Sequence, residues 1–491
     1  MGVPVSTDPV AEVFAGRCLG WGRMHCECPN NAHFFSSFNC FIRKSFKRLP
    51  TKLELTRFRK YARRMREVKY HCLLDSHLSS EVFLVLHRFT PSKLLLPNLK
   101  IIQFSPIATW FIPSILLLAS PGTADIIIEF AGSSLPNALV ASTIATLPTR
   151  CPTLQQIRLH SLPRVPMVTA AVSELLLTTN RNTLRSFHVD SPLTEEAREV
   201  ISELPDLCTL MMVIERNAPL PSLVLPNLRE LVVGYDHDGD LLRMFHGATL
   251  EKLESVTFSP QSEEIGDFLG AFERVALAAS IQNTLSTFHL YTSRSWNPAY
   301  SSLLLFTQLK ELIIESSCIG GCSSIVDDDI IINLARAMPK LEHLRLGDTP
   351  CHRIPTGVTA KGLVVLAHHC PNLFYLHIHF HVASLSVPPA TIGMTSNPGS
   401  VATRKDCALM ELDVGEIPMT EESVPVVALT LARIFPRIES IDYVDEKWEK
   451  VMDAISISKQ IVNCSGKNHH LDIPRSNLSD ASPGAGLESG S

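Results

Sequence analysis

A short apolar phrase returns along this chain, and its recurrence limits the folds open to it more than any other property. It reads Leu-x-x-(Leu/Ile/Phe/Val)-x-(apolar), usually preceded by Pro-Asn, Pro-Thr or Asn-Thr. Clear copies are Leu99-Ile102-Phe104, Leu154-Ile157-Leu159, Leu184-Phe187-Val189, Leu228-Leu231-Val233, Leu253-Val256-Phe258 and Leu285-Phe288-Leu290. They continue as Leu309-Leu312-Ile314, Leu341-Leu344-Leu346, Leu373-Leu376-Ile378, Leu409-Leu412-Val414 and Ile438-Ile441-Tyr443. Two weaker copies, Thr123-Ile126-Ile128 and Leu207-Leu210-Met212, fill the wide gaps. The thirteen starts run from 99 to 438, so twelve steps cover 339 residues, about 28 per step and 21 to 36 individually. On a strand, positions i+3 and i+5 point the same way. Each copy therefore carries an apolar face that only neighbouring copies can cover.

A period in this range built on L-x-x-L-x-L is the leucine-rich-repeat signature. The intervening segments read as helices. Glu195 to Leu204 follows Thr194, and Ile265 to Ala279 spaces Phe268, Leu269, Phe272, Val275 and Ala276 three and four apart. Asp327 to Asp329 open a run to Met338, with carboxylates where a helix N-terminus favours them. Val358 to His368 and Ser423 to Phe435 complete the series, and Met338-Pro339, Cys370-Pro371 and Phe435-Pro436 close helices ahead of the next phrase. The expected fold is α/β: a right-handed leucine-rich-repeat solenoid of βα repeats, its curved parallel sheet on the concave face, with an N-terminal helical cap. At 491 residues and 45% hydrophobic, length alone suggests about three domains. A stack has no single core to outgrow, so one solenoid replaces two of them.

The expected organisation is a poorly specified segment at 1–45, a basic amphipathic helical linker or cap at 46–95, a solenoid of about thirteen repeats at 96–460, and a disordered tail at 461–491 rich in Ser, Gly, Asn and Pro. In the second region, residues 54 to 68 form one helical stripe of Leu55, Phe58, Tyr61, Ala62, Met65 and Val68. No apolar run reaches the roughly 18 to 20 residues a membrane helix needs. The longest, Ile107 to Ala119, contains Pro113 and reads as buried strand or helix. The N-terminus lacks a basic region followed by an apolar core, which argues against secretion, and the Gly2 context with Pro4 and Thr7 argues against myristoylation. Thirteen cysteines without a leader read as reduced, mostly buried thiols. A cytoplasmic or nuclear location, without a membrane, is the expectation.

Charge is unevenly placed. Lys and Arg number 44 against 49 Asp and Glu, net −5, yet Arg43 to Lys69 holds twelve basic residues and two Glu, net +10, leaving about −15 elsewhere. Such a run suits nuclear localisation or nucleic acid. The apolar stripe on the same helix favours a solvated face, and nucleic acid is not the expected partner. In the repeats, i+2, i+4 and i+6 should face solvent on the concave sheet. Those 39 positions hold six His against about 1.5 expected by chance, nine acidic residues and two basic, net about −7. The expected partner-contacting set is Arg158, His188, Asp190, Glu230, His289, Tyr291, Glu311, Glu315, His343, Arg345, Tyr375, His377, His379, Glu411 and Asp413. The tyrosines would anchor a basic protein surface, held more weakly at low pH as the histidines charge. The plainer alternative is that outward strand positions in any solenoid are polar.

No catalytic, metal or cofactor assignment follows. His25, Cys26, Cys28 and His33, with Cys18 and Cys40, lack paired zinc spacing, and Cys318 and Cys322 read as loop thiols. In Tyr235 to Asp240 the Gly falls too early for a calcium loop, and the expected Glu is Gly247. His377, His379 and His381 would share one strand face with no carboxylate or thiol in that strand. Phosphate-loop, dinucleotide and nucleophile-elbow patterns are absent.

Several phrases resemble a known family. Cys151-Pro-Thr-Leu-Gln-Gln-Ile-Arg-Leu and Cys370-Pro-Asn-Leu-Phe-Tyr-Leu-His-Ile look like the cysteine-containing repeats of F-box proteins. The stretch from Leu55 to Val68, the phrase from Leu95 to Ile102, and Pro219-Leu-Pro-Ser-Leu-Val-Leu-Pro-Asn-Leu resemble the F-box-like leucine-rich-repeat proteins of mushroom-forming basidiomycete fungi, over about residues 46 to 450. The resemblance implies a non-enzymatic subunit that presents targets to a Skp-cullin-F-box (cullin-RING) ubiquitin ligase through a Skp-type adaptor. The alternative is a free-standing repeat scaffold. The Leu-Pro-x-Glu opening of an F-box does not occur in residues 1 to 45; Leu49-Pro50-Thr51-Lys52-Leu53 begins like one and runs into the linker helix. No adaptor-contact residue is carried over.

Overall fold

The computed structural model describes residues 49–71, 80–89, 94–107, 111–130, 136–216, 223–235, 243–245, 248–260, 281–292, 300–316, 326–347, 357–386, 407–415 and 417–467. Within them lie fourteen strands: β1 (Glu67–His71), β2 (Ile101–Ile107), β3 (Asp125–Phe130), β4 (Gln156–His160), β5 (Ser186–Pro192), β6 (Thr209–Ile214), β7 (Glu230–Tyr235), β8 (Ser255–Pro260), β9 (Thr287–Thr292), β10 (Glu311–Ser316), β11 (His343–Leu346), β12 (Tyr375–Ile378), β13 (Glu411–Gly415) and β14 (Ser440–Tyr443). The α-helices among these residues are α1 (Lys52–Ala62), α2 (Ser80–Arg88), α3 (Ile112–Leu118), α4 (Asn137–Arg150), α5 (Pro166–Thr178), α6 (Glu195–Ser202), α7 (Asp328–Ala337), α8 (Ala360–His369), α9 (Val424–Ile434) and α10 (Lys447–Lys467).

All fourteen strands form one open parallel sheet in chain order. The i+3 position of every phrase pairs with the i+3 position of the next, from Val68 against Ile102 through Phe187 against Leu210 to Leu412 against Ile441. At these positions the register holds although the steps differ in length, because each apolar side chain is buried only when it lies over its counterpart; it shifts only towards the strand ends, between β2 and β3, β5 and β6, and β13 and β14. The leucines opening the phrases, such as Leu99, Leu154 and Leu373, are fully buried, as are Ile102, Phe288 and Leu344. They join the helices' inner faces in one continuous core.

Consecutive helices pack on one another along the side of the sheet that carries this core: α2 through α6, then α7 through α10. A helix with its side chains is about 10 Å wide, while strands sit about 4.8 Å apart. A layer of helices matched to strands must take the longer arc, so the strands line the inside of the bend. The architecture is an α/β solenoid, as the repeat period predicts.

The X-Pro junctions explain how helices of different length deliver the chain to the same place. Cys151, Met338, Cys370 and Phe435 each end a helix with φ between −113° and −128° and ψ between 64° and 77°. Each donates its N–H to the carbonyl four residues back and is buried. The following proline disfavours another helical residue, so the chain turns into the phrase at a fixed point. Helix starts are tied across repeats as well. Asp328 in the first turn of α7 accepts from the Thr359 N–H (2.8 Å), the Thr359 hydroxyl (2.6 Å) and the Gly362 N–H (3.1 Å) at the start of α8.

Three expectations need correction. The helix expected over 54–68 ends at Ala62, and β1 follows, so the sheet begins one strand before the thirteen phrases. Met65 and Val68 continue the apolar spacing of α1, but they occupy the i and i+3 positions of a fourteenth phrase, paired in register with β2. The tail expected to be disordered from 461 is helical to Lys467. The His377, His379 and His381 run is extended only to Ile378; beyond it the backbone bends, and the His381 N–H donates to the Val358 carbonyl. Pro113 lies in the first turn of α3, where its missing N–H costs nothing. The expectations for residues 1–45, for the helix at 265–279, for Cys318 and Cys322, and for Asp236 to Asp240 lie outside the described residues.

Candidate binding face

The side of the sheet turned away from the helices carries side-chain columns at i+2 and i+4, which run across the strands in register, while the i+6 positions follow less regularly because pairing shifts beyond i+4 or i+5 between β2 and β3, β5 and β6, and β13 and β14. No described element lies over them. β1 adds Glu67 and Lys69, an ion pair at 2.7 Å, to these columns. The phrase Met65-x-x-Val68-x-Tyr70 was the available signal for them, with Met in place of Leu.

In the first half of the face the polar groups mostly serve the fold. His188 is 6% exposed, and its Nε2 lies 3.1 Å from the Thr209 hydroxyl. Burial, with Arg158 and His160 alongside, pushes it down to about 4, so it is neutral at physiological pH. Asp190 turns back over β4. It accepts from the N–H groups of Ser161 and Leu162 and holds a turn in which Ser161 is left-handed, φ 57°. Asp125 is raised by burial, an effect partly offset by Arg158. Glu230 is half-buried with no side-chain hydrogen bond or ion pair.

From β9 to β13 the columns become a connected polar and aromatic surface. His289 Nε2 lies 3.3 Å from Glu311, and Arg345 Nε lies 3.0 Å from Glu315. Tyr291 is 37% exposed on the rim of this patch. The His343 ring stacks on Tyr375 with centroids 6.1 Å apart. Asp413 is the hub: it accepts from the Tyr375 hydroxyl at 3.0 Å and from the Gly415 N–H at 3.1 Å, and it lies 2.7 Å from His377 Nδ1. Burial alone would raise the Asp413 carboxyl, but its contacts with His377, Tyr375 and Gly415 hold it below the ordinary value. Burial and the Asp413 charge push the Tyr375 phenol up to about 12. His377 is 3% exposed and its Nδ1 contact is an ion-pair approach, not an aligned hydrogen bond. The His379 ring lies 5.7 Å from that of His377. Glu411 is exposed and makes no side-chain hydrogen bond or ion pair.

Fourteen of the fifteen predicted residues thus occupy outward strand positions and His379 lies just beyond β12, where the backbone bends, but they are not equally available. Asp190, His188, His377 and Asp413 are committed to internal contacts. The outward, chemically free set is narrower: Glu230, Tyr291, Glu411 and, among paired groups, Glu311, Glu315 and Arg345. Such a face can offer carboxylates and aromatic rings to a complementary surface. Among the described residues no hydroxyl or thiol hydrogen-bonds to His377, so none stands as the third member of a nucleophilic relay with the His377–Asp413 pair. Among the described residues no group of three or more His, Cys, Asp or Glu could hold a metal ion, and no helix is long and apolar enough to cross a membrane. Cys151, Cys208, Cys370 and Cys407 are free, and burial pushes Cys151 up to about 11 and Cys370 up to about 12.

No protein-family model and no curated protein matches the chain. Among solved structures it is similar to one described as "Crystal structure of Rad7 and Elc1 complex in yeast", at 15% identity and a TM-score of 0.41, over 71% of this chain and 76% of that chain. At that level the likeness carries no argument about this chain.

Proposed function

We propose that this chain is a non-enzymatic protein-recognition module whose open sheet face receives a basic protein target. One observation supports this most directly: fourteen parallel strands align their i+2 and i+4 side chains in register on the side away from the helices. Parallel sheets ordinarily bury both faces. A face that no described element covers suits a protein whose partner supplies the cover. The free carboxylates and the rim tyrosine favour a basic surface.

The sequence resemblance carries the proposal one step further, to a substrate-binding F-box-like subunit of a Skp-cullin-F-box ubiquitin ligase in the cytoplasm or nucleus. A free-standing repeat scaffold is the second reading, favoured by the missing Leu-Pro-x-Glu phrase. Tagging the full chain and measuring co-purification with the Skp-type adaptor, beside a known F-box protein, separates them. Stoichiometric adaptor supports the ligase role; reproducible absence with a working control refutes it. Reversing Glu311, Glu315 and Glu411 to Lys should abolish capture of the target in either case. Unchanged capture of every partner would refute the binding face.

A further inference from the structure

The two ends of the solenoid carry opposite charge on matching helical stripes. Residues 49–71 hold eight Lys or Arg against two Glu, net +6, and residues 439–453 hold six Asp or Glu against two Lys, net −4. Thirteen strand steps of about 4.8 Å separate β1 from β14, roughly 60 Å along the sheet. Opposite charges that far apart lie well beyond the screening length at physiological salt and do not neutralise each other within one molecule.

The stripes are specific. α1 buries Leu55, Phe58 and Ala62 and exposes Leu53, Arg57 and Lys60 along its other side, with Arg64 just beyond its end. Leu53 is 61% exposed. Among the described residues Arg57 and Lys60 have no ion-pair partner, and Arg64 meets the Tyr61 ring, 5.9 Å away. At the other end α10 buries Trp448, Val451 and Ile455 and packs on α9 and β14. Its outward side presents Glu449, Asp453 and Ile457, the last 58% exposed. Among the described residues neither carboxylate has an ion-pair partner, whereas nearby Lys447 and Lys450 are each paired, with Asp445 and Glu421.

Along the chain α1 reads apolar, basic, basic, and α10 reads acidic, acidic, apolar. Laid antiparallel, Leu53 meets Ile457, Arg57 meets Asp453 and Lys60 meets Glu449. At 1.5 Å per residue the stripes run about 10 and 12 Å, close enough to match side chain for side chain. An ordinary solenoid cap has a polar outer surface; here each of these stripes sets charges of one sign beside an exposed apolar residue, although Lys459 and Lys467 lie farther along α10.

We infer that the chain associates with a second copy of itself, head to tail, the α1 stripe of one copy docking antiparallel on the α10 stripe of the next. The contact is heterologous: each copy keeps a free α1 at one end and a free α10 at the other, so association continues into short open oligomers. The target-binding face lies on neither stripe and remains available in each copy.

Sedimentation velocity of the full chain over a concentration series, at about 50 and 500 mM salt, tests this. Concentration-dependent association that dissolves at high salt is expected. The variant R57E/K60E/R64E and the variant E449K/D453K should each associate at least about tenfold more weakly, with circular dichroism melts like the parent's. Mixed together they should associate again, because each reversed stripe then meets its complement. A protein monomeric at every concentration in low salt overturns the inference. So does association that neither variant weakens, or weakening by the α1 variant alone, which would assign the basic stripe to an anionic partner of another kind. Should a variant fail to fold, the salt dependence of the unmodified chain still decides whether charge drives association.

Discussion

The buried His188 makes a pH prediction whose size follows from its surroundings. An imidazole in an unfolded chain titrates near 6.5, whereas burial beside Arg158 and His160 holds His188 down to about 4. Between these values the unfolded state binds a proton that the folded state refuses, so stability falls as pH drops. The full span is 2.5 units, worth about 3 kcal/mol at most, and at pH 5 the loss is already about 2 kcal/mol. In a solenoid, where each unit contacts only its neighbours, that loss should be concentrated around β4 to β6. Amide hydrogen exchange at pH 7 and pH 5, corrected for intrinsic rates, should show those strands opening about twentyfold more often at the lower pH, with β11 to β13 changing less. His188→Gln keeps a polar group within reach of the Thr209 hydroxyl and removes the titration, so its pH dependence in β4 to β6 should flatten. Parallel pH dependence in the variant and the parent would refute the reasoning, as would a His188 ring resonance titrating near 6.5.

Three other outcomes follow from particular contacts. A Cβ at Gly362 would lie 2.6 Å from Asp328 Oδ1, so Gly362→Ala must displace a carboxylate that receives three hydrogen bonds; Asp328→Ala should lower stability by about 2 to 3 kcal/mol, and urea denaturation of the double variant should show clear non-additivity. The Tyr375 phenol, raised to about 12, stabilises the fold fully below pH 10 and loses that contribution as pH rises towards 12; ultraviolet titration should show a tyrosinate step near pH 12 that Tyr375→Phe removes, while Tyr300, which burial raises further, ionises later. Exposed Glu411 makes no side-chain hydrogen bond or ion pair, so Glu411→Gln should leave the thermal midpoint within about 1 °C while weakening target capture.

The fold was legible because one phrase encodes both what must be buried and where the next copy lies over it. All thirteen phrases became consecutive strands, β2 to β14. β1 was hidden because Met65 and Val68 are three apart, a spacing shared by a helical stripe and by the phrase, and α1 stands immediately before them. The columns on the open face were legible too, since alternation assigns each residue to a side. The availability of those residues was not. His188 is covered because Arg158 and Met211 flank it on neighbouring strands; Asp413 is occupied because Tyr375 and His377 belong to the strand beside it. Those neighbours are 23 to 38 residues away in sequence, and a one-dimensional pattern does not say which long side chain leans over which.

The X-Pro junctions set a rule for how such a chain tolerates change in length. A connector can gain or lose residues upstream of Cys151, Met338, Cys370 or Phe435, because the chain is returned to the same starting point before each strand. One residue inserted between that proline and the strand has the opposite effect: every side chain in that strand exchanges faces, so that leucines meet solvent and histidines meet the core. Deleting a whole unit shortens the stack by a single strand spacing and leaves the remaining columns aligned. Length variation between relatives of this chain should therefore occur on the helix side of the prolines, and in whole units.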